Sequence, residues 1–136
     1  MAENYSPALA TGENLFSCQE VLNLLRHGGL RSNRDWIQLD PALAYGLTEY
    51  LRVVELVENH GWSRRRLIPR GGHQLASNAA GLQLGGSESY PGVFQPFGGF
   101  ANEIPIVQGR TKLHDTPGIG IELKPELHQR ILKMME

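Results

Sequence analysis

Four side chains suited to chemistry lie where short apolar runs of the sequence end: Glu13, Asp40, Arg70 and His73. Glu13 offers a carboxylate, the hard oxygen ligand that Mg²⁺ prefers. Asp40 suits the orientation of a catalytic base or a pairing with a cation. Arg70 suits a bidentate clamp on a carboxylate. His73 suits general acid–base catalysis, because the ordinary pKa of histidine lies near neutrality.

Each of these residues also has a purely structural interpretation. Glu13 suits a solvated loop, Asp40 suits the capping of a strand end, and His73 suits the start of a helix. Arg70 stays protonated and therefore cannot act as a general base. The residue types alone leave the chemical and the structural interpretations open.

Short strands are predicted just before these residues. The runs near residues 8–12, 36–40 and 66–69 are apolar and end in Gly, Asp or Pro, which is the pattern of a short strand. A helical pattern follows each run, so we expect parallel strands joined by helices. The strand–helix units recur about every 30 residues, the pitch of a β/α barrel, whose eight units take about 250 residues.

The sequence therefore predicts an α/β fold in two parts. Residues 1–88 are predicted to form a partial β/α barrel of three units. Residues 89–136, in which Gly and Pro recur, are predicted to form a loop-rich extension with a terminal helix. A small doubly wound sheet is the alternative, although we find no glycine-rich phosphate-binding motif that supports it.

Four helices have sequence signals. Ser17 and Glu20 have the spacing of a capping box, which predicts a helix start. A second helix is predicted over about 45–59 and a short one over about 73–80. The last helix is predicted to begin near Pro125, since proline suits the first helical turn. The residues expected to be buried are Leu47, Tyr50, Leu51, Val54 and Val57 in the second helix, and Leu127, Ile131 and Met134 in the last.

Composition narrows the class of protein. The chain has 136 residues, 40% of them hydrophobic, and a net charge of −1, which argues against a nucleic-acid binder. A single cysteine, Cys18, excludes an internal disulfide framework and a cysteine-rich zinc site. No apolar run approaches the roughly 18 residues of a membrane span, and we find no secretory signal. We therefore expect a cytoplasmic location, and we expect the basic run 64–66 to be a solvated loop.

Blocks spread over the whole chain carry a resemblance to a known family. The block from Ala10 to Ser17 and the block Gly71-Gly72-His73-Gln74 closely resemble stretches of D-tartrate dehydratases. These enzymes belong to the mandelate racemase group of the enolase superfamily. The further similar blocks are Leu24-Leu25-Arg26, Asp35-Trp36, Tyr45-Gly46-Leu47, His60-Gly61-Trp62-Ser63, Leu84-Gly85-Gly86, Glu88-Ser89-Tyr90-Pro91, Phe94-Gln95-Pro96, Leu113, Asp115 and Pro117-Gly118-Ile119-Gly120.

The resemblance implies a fold and an activity. The family has an N-terminal capping domain and a modified β/α barrel. This chain resembles the last third of such an enzyme, from the sixth to the eighth strand, with a tail that returns toward the capping domain. Family members remove a proton next to a carboxylate and stabilise the enediolate on Mg²⁺, and D-tartrate dehydratases then lose hydroxide to give oxaloacetate. The implied cofactor is Mg²⁺ and the implied substrate is a small acid sugar.

The resemblance also implies roles for single residues. Glu13 matches the third metal-binding carboxylate, Asp40 the aspartate that supports a catalytic histidine, and Glu88 an acidic residue near the substrate. His73 matches the family's second histidine, which we assign to substrate binding. Arg70 stands at the position of the catalytic histidine, so we expect it to form an ion pair with Asp40.

The lysine base and the first two metal carboxylates of the family precede the segment that this chain resembles. Loss of one member of an acid–base pair alone lowers a rate by about 10²–10⁴-fold. We therefore expect the chain alone to be inactive and to bind no Mg²⁺.

Two functions from different classes follow. The first is a truncated, inactive C-terminal portion of a D-tartrate dehydratase-like lyase, from a split or decayed gene, which assembles with an N-terminal fragment or with copies of itself. The second is a non-catalytic binding or assembly module that docks through an exposed strand edge. An upstream reading frame that encodes the lysine base and the two metal carboxylates favours the first.

Overall fold

The structure, a computed structural model, describes residues 4–70, 80–89, 92, 105–112, 115–116 and 121–136. The first half alternates strands and helices: β1 (Ala10–Thr11), α1 (Cys18–His27), β2 (Trp36–Ile37) and α2 (Gly46–Asn59). This order matches the predicted succession of strand–helix units.

Shorter elements follow α2. A 3₁₀ turn spans Arg64–Arg66 and a second one spans Ile121–Leu123, directly before α3 (Pro125–Met134). The helix predicted over 73–80 lies, up to residue 79, outside the described residues. Across the described ranges, no helix is both long and apolar enough to cross a membrane.

The two strands form a parallel pair. Ala10 lies opposite Trp36 and Thr11 lies opposite Ile37. The Trp36 N–H donates to the carbonyl of Leu9 at 2.8 Å, and the Gln38 N–H, just after β2, donates to the carbonyl of Thr11 at 2.9 Å. β1 and β2 are consecutive strands joined through α1, which is the arrangement of a β/α unit.

Isolated bridges extend the parallel pairing to two more segments. Ile37 pairs in parallel with Leu67, and Arg70 pairs in parallel with Glu88. Four segments therefore lie side by side in the order in which they occur along the chain. The parallel arrangement of the three predicted strands is confirmed, although the regular pairing is shorter than the sequence predicted.

The buried core lies between this sheet and the helices. Ile37, Leu39 and Leu67 from the sheet side are completely buried, as is Val21 of α1. Burial of one such aliphatic side chain contributes about 1.5–3 kcal/mol. The other buried core residues are Ala44, Tyr50, Val53, Val54, Val57 and Trp62. The core therefore fixes the paired strands, and with them the position of their carboxyl ends.

Two side chains cap the start of α1. The hydroxyl of Ser17 accepts from the backbone N–H of Glu20 at 3.3 Å, as the capping-box spacing predicted. The carboxylate of Glu20 reaches the N–H of Phe16 at 2.6 Å. A third contact comes from α2, where Glu49 accepts from the N–H of Cys18 at 2.8 Å. The start of α1 is thus fastened to α2 as well as capped locally.

The buried face of α2 differs from the predicted one. Tyr50, Val54 and Val57 are buried as expected, and Val53 is buried with them. Leu47 and Leu51 were also expected inside, but they are 47% and 45% exposed. The four buried positions form a complete i, i+3, i+4, i+7 stripe, and the two leucines lie on its flank. The stripe packs into the core and against α1, whereas the flank is left uncovered.

The N-terminal segment is fastened to β2 by a buried carboxylate. Asp35 is completely buried. Its two oxygens accept from the Arg31 guanidinium at 2.7 and 3.0 Å and from the backbone N–H of Leu9 at 2.9 Å. Arg31 also donates to the carbonyls of Tyr5 and Pro7. This network holds the segment that leads into β1 beside the start of β2.

The terminal helix begins at Pro125 as predicted, but its expected buried side is largely open. Leu127 and Ile131 are half-buried, and Met134 is 76% exposed. α3 packs mainly on the 3₁₀ turn Ile121–Leu123 just before it. One short turn covers only part of an amphipathic helix, so the prediction that all three residues are buried was wrong.

Candidate functional site

Polar side chains gather at the carboxyl ends of the four parallel segments. Glu13 follows β1, Asp40 follows β2, Arg70 ends the third segment, and Glu88 lies on the fourth. In parallel sheets, ligands bind at the edge where the carboxyl ends of the strands meet. The described part of the chain therefore brings four of the five predicted site residues to one edge.

An ion pair joins the first and third segments. The guanidinium of Arg70 lies 3.5 Å from a carboxylate oxygen of Glu13. The two side chains are 32% and 46% exposed, so solvent reaches both of them. An exposed pair of this kind contributes about 0–1 kcal/mol to folding. Its charges remain accessible to a ligand.

The expected pair between Asp40 and Arg70 does not form. The carboxylate of Asp40 accepts from the backbone N–H groups of Ala42 at 2.7 Å and Leu43 at 3.4 Å. This is the behaviour of an aspartate that stabilises the turn after it. Arg70 pairs with Glu13 instead, because the carboxylate of Asp40 is engaged by its own backbone.

Glu88 has a partner that the sequence analysis missed. The side-chain amide of Gln38 donates to its carboxylate at 2.8 Å. Gln38 stands between the buried residues Ile37 and Leu39, so strand alternation places it on the opposite face of β2. That alternation was the signal that could have identified it. His73 lies outside the described residues.

The basic run 64–66 is structural rather than a binding patch. Arg64 pairs with both carboxylate oxygens of Glu58, at 2.6 and 2.7 Å. The guanidinium of Arg66 lies 4.7 Å from the ring centre of Trp36 and also donates to the backbone carbonyls of Asn33 and Arg34. The predicted solvated loop is therefore a 3₁₀ turn that fastens two segments of the chain.

Cys18 is not suited to nucleophilic chemistry. Burial raises the pKa of its thiol, and the carboxylate of Glu49 raises it further. The thiolate, which is the reactive form, is therefore disfavoured at neutral pH. Candidate chemistry remains with the strand-end residues.

A family model described as enolase C-terminal domain-like matches residues 2–127. The chain belongs to this family. The parallel strand–helix units of this enolase C-terminal domain-like chain agree with that assignment.

Enolase superfamily members generally bind Mg²⁺, but the described residues of this chain do not fit that ion. Within the described ranges, no three His, Cys, Asp or Glu side chains lie close enough to hold a metal together. Glu13 faces the guanidinium of Arg70, and Glu88 is held by Gln38. Mg²⁺ requires several oxygen ligands in near-octahedral geometry. One carboxylate beside a positive charge does not supply them.

Proposed function

We propose that residues 1–136 form the substrate-holding, C-terminal part of the active site of a D-tartrate dehydratase-like lyase, and that they are inactive on their own. The observation that carries the proposal is the gathering of Glu13, Arg70 and Glu88 at one edge of the parallel segments. The resemblance of the sequence blocks to D-tartrate dehydratases supports the choice of substrate. The family assignment supports the type of fold.

Arg70 is the residue best placed to hold a substrate carboxylate. Its guanidinium is about one-third exposed and lies 3.5 Å from a carboxylate oxygen of Glu13. A guanidinium binds a carboxylate through two parallel hydrogen bonds, which fixes the orientation of the ligand as well as its position. Arg70 stays protonated, so its role is to bind and orient rather than to take up a proton.

Glu88 complements Arg70 on the neighbouring segment. One of its oxygens is fixed by the Gln38 amide, which orients the carboxylate. A carboxylate accepts hydrogen bonds from hydroxyl groups, so Glu88 suits a hydroxyl of the acid sugar. The Arg70–Glu88 bridge holds the two residues on adjacent segments. A ligand that carries both a carboxylate and a hydroxyl matches this pair.

Titration of the chain with D-tartrate, followed by backbone amide shifts in NMR spectra, tests the proposal. We expect saturable shifts at the carboxyl ends of the segments, and we expect Arg70→Gln to weaken binding about tenfold, since a charge-assisted hydrogen-bond pair is lost. Arg65→Gln is the matched control, because Arg65 is an exposed arginine of the same region. Equal affinity of the wild type and Arg70→Gln would contradict the proposal.

One observation favours a second function, docking through the edge of β1. Both residues of this strand, Ala10 and Thr11, are exposed. The carbonyls of Leu9 and Thr11 accept from the N–H groups of Trp36 and Gln38, so the backbone groups of Ala10 face the other side of the strand. Ala10→Lys should abolish any concentration-dependent association seen by sedimentation, because a charge blocks edge pairing. Association that is unchanged by Ala10→Lys would rule out this edge.

A further inference from the structure

Four apolar side chains are exposed around the start of α2. Leu43 and Tyr45, which precede the helix, are 58% and 84% exposed. Leu47 and Leu51 are 47% and 45% exposed and lie one turn apart on the same side of the helix. Exposed apolar side chains that cluster mark a surface that contacts another molecule. We call these four residues the α2 patch.

The backbone of Tyr45 adopts a conformation that bulky residues seldom take. Its φ is 59°, in the left-handed region, and its side chain is held out of the core. Strain of this kind costs free energy and concentrates at functional sites. Here it keeps an aromatic ring at the surface where α2 begins.

A negative charge follows the α2 patch along the same side of the helix. Glu55 lies one turn after Leu51 and is exposed. Glu58 lies further along, and its carboxylate is engaged by Arg64. α2 as a whole carries three glutamates and one arginine. The α2 patch therefore ends beside an exposed carboxylate on a helix of net negative charge.

α3 carries the complementary surface. Leu127, Ile131 and Met134 have the i, i+4, i+7 spacing of a single helix face, and this face becomes more open toward Met134, which is 76% exposed. The preceding 3₁₀ turn is the main contact of α3, so the face is covered only at its start. Arg130 and Lys133 border the face and are exposed, and α3 carries one glutamate against these two cations.

We propose that α3 of one copy of the chain docks on the α2 patch of a second copy. The apolar face of α3 then covers the exposed leucines, and Lys133 or Arg130 lies near Glu55 of the other copy. Because every copy carries both surfaces, a two-fold axis allows the contact to form twice and to close as a dimer. The opposite charges beside the two apolar surfaces favour this occupant and set its register. The inference uses none of the strand-end residues and does not depend on the proposed function.

Sedimentation equilibrium of the full chain tests the inference. We expect a monomer–dimer equilibrium in the micromolar range. Leu51→Ser and Met134→Ser should each weaken the dimer about tenfold, because each substitution removes apolar contact area at two places in a two-fold interface. Val107→Ser, at another exposed apolar position, is the matched control and should leave the dissociation constant within about twofold of the wild type.

A charge exchange tests the partnership between the two helices. Glu55→Lys and Lys133→Glu should each weaken the dimer about threefold or more, since each places like charges face to face. The chain that carries both substitutions should return to within about threefold of the wild type, because the charges are again opposite. Loss of folding cannot produce such a rescue.

Tyr45→Asn separates docking from folding. Asparagine adopts the left-handed conformation more readily than tyrosine, so the urea midpoint of the variant should be equal to or higher than that of the wild type. Its dimer should nevertheless be weaker, because the exposed ring is lost. A Tyr45→Asn variant that dimerises like the wild type would exclude Tyr45 from the interface.

Two results would overturn the inference as a whole. The first is a chain that stays monomeric at about 1 mM, a concentration at which even a weak complex forms. The second is a dimer that Ala10→Lys abolishes and that Leu51→Ser and the charge variants leave unchanged, since the edge of β1 would then be the interface. D-tartrate binding by a monomeric chain would leave the proposed function standing while this inference failed.

Discussion

At the scale of single residues, Asp35 holds the N-terminal segment against the sheet. It is completely buried, and its carboxylate is paired with a guanidinium and with two backbone N–H groups. Asp35→Asn removes the negative charge that pairs with the Arg31 guanidinium. Because breaking a buried pair costs about 3–5 kcal/mol, we expect a loss of roughly that size in urea unfolding. Asp115→Asn, at an exposed position, is the control and should change stability by less than about 0.5 kcal/mol.

The same network gives the fold a defined dependence on pH. The hydrogen-bonded guanidinium of Arg31 holds the pKa of Asp35 well below its usual range. Since the folded-state pKa lies below the unfolded value of about 3.9, this contribution to stability is complete above that value and is lost as the pH falls below it. Wild-type stability should therefore fall between about pH 5 and pH 2 more steeply than that of Asp35→Asn. Parallel acid-unfolding curves would show that Asp35 does not cause the effect.

The Glu13–Arg70 pair leads to an expectation about metal binding. A guanidinium 3.5 Å from the Glu13 carboxylate competes with a cation for the same oxygens. We expect calorimetry to show no saturable Mg²⁺ site at micromolar concentrations, and Glu13→Gln to behave like the wild type. A micromolar site that Glu13→Gln abolishes would contradict this expectation and would make Glu88 the next ligand to test.

Residue types predicted the site only in part. That Glu13 and Arg70 share an edge follows from the parallel pitch, which sequence spacing reveals, whereas Glu88 was assigned only through the family resemblance. That Arg70 selects Glu13 over Asp40 depends on local backbone geometry, because Asp40 is engaged by the turn after it. Sequence spacing carries no information about that competition. The partnership of Gln38 with Glu88 joins residues far apart in the chain, which only the sheet register reveals.

At the scale of elements, one carboxylate couples α1 to α2. Glu49 is 17% exposed and accepts from the N–H of Cys18, one of the unpaired donors at the start of α1. This contact lowers the pKa of Glu49. Glu49→Ala should lower the free energy of unfolding by about 1 kcal/mol, the usual cost of a lost helix cap. Glu55→Ala, at an exposed position of the same helix, should cost no more than about 0.5 kcal/mol in the same urea titration. Equal losses in the two variants would show that the contact does not couple the helices.

The sequence predicted where the helices begin more accurately than which of their faces are buried. The capping residues Ser17 and Pro125 mark α1 and α3 through local chemistry, so the sequence is sufficient to place them. Which face of a helix is buried depends on what covers it. The core and α1 cover the stripe that includes Val53 but not Leu47, and the turn before α3 leaves Met134 exposed. Periodicity shows that a helix is amphipathic, but it does not show the width of the surface on which it packs.

At the scale of the whole molecule, the repeated strand–helix pitch predicted the parallel order of the segments, and the structure confirms it. The sequence did not predict that the regular pairing between the strands would be so short. Apolar runs indicate where strands can form, whereas the length of pairing depends on neighbouring backbone. Each β/α unit brings one strand end to the common edge of the sheet. The set of side chains available for function at that edge therefore depends on how many units lie side by side. Under the proposed function, the described segments hold groups that bind and orient an acid sugar.

In the proposed function, these residues hold the substrate but do not by themselves carry out its dehydration. Formation of oxaloacetate from D-tartrate in the presence of Mg²⁺ tests it most directly, with the wild type compared with Arg70→His and with a complete D-tartrate dehydratase as the positive control. Arg70→His should cost less than about 1 kcal/mol of stability, because the pair it breaks is exposed, so loss of folding does not confound the comparison. We predict no oxaloacetate above the uncatalysed background from either form of the chain. Turnover by the wild type would contradict the claim.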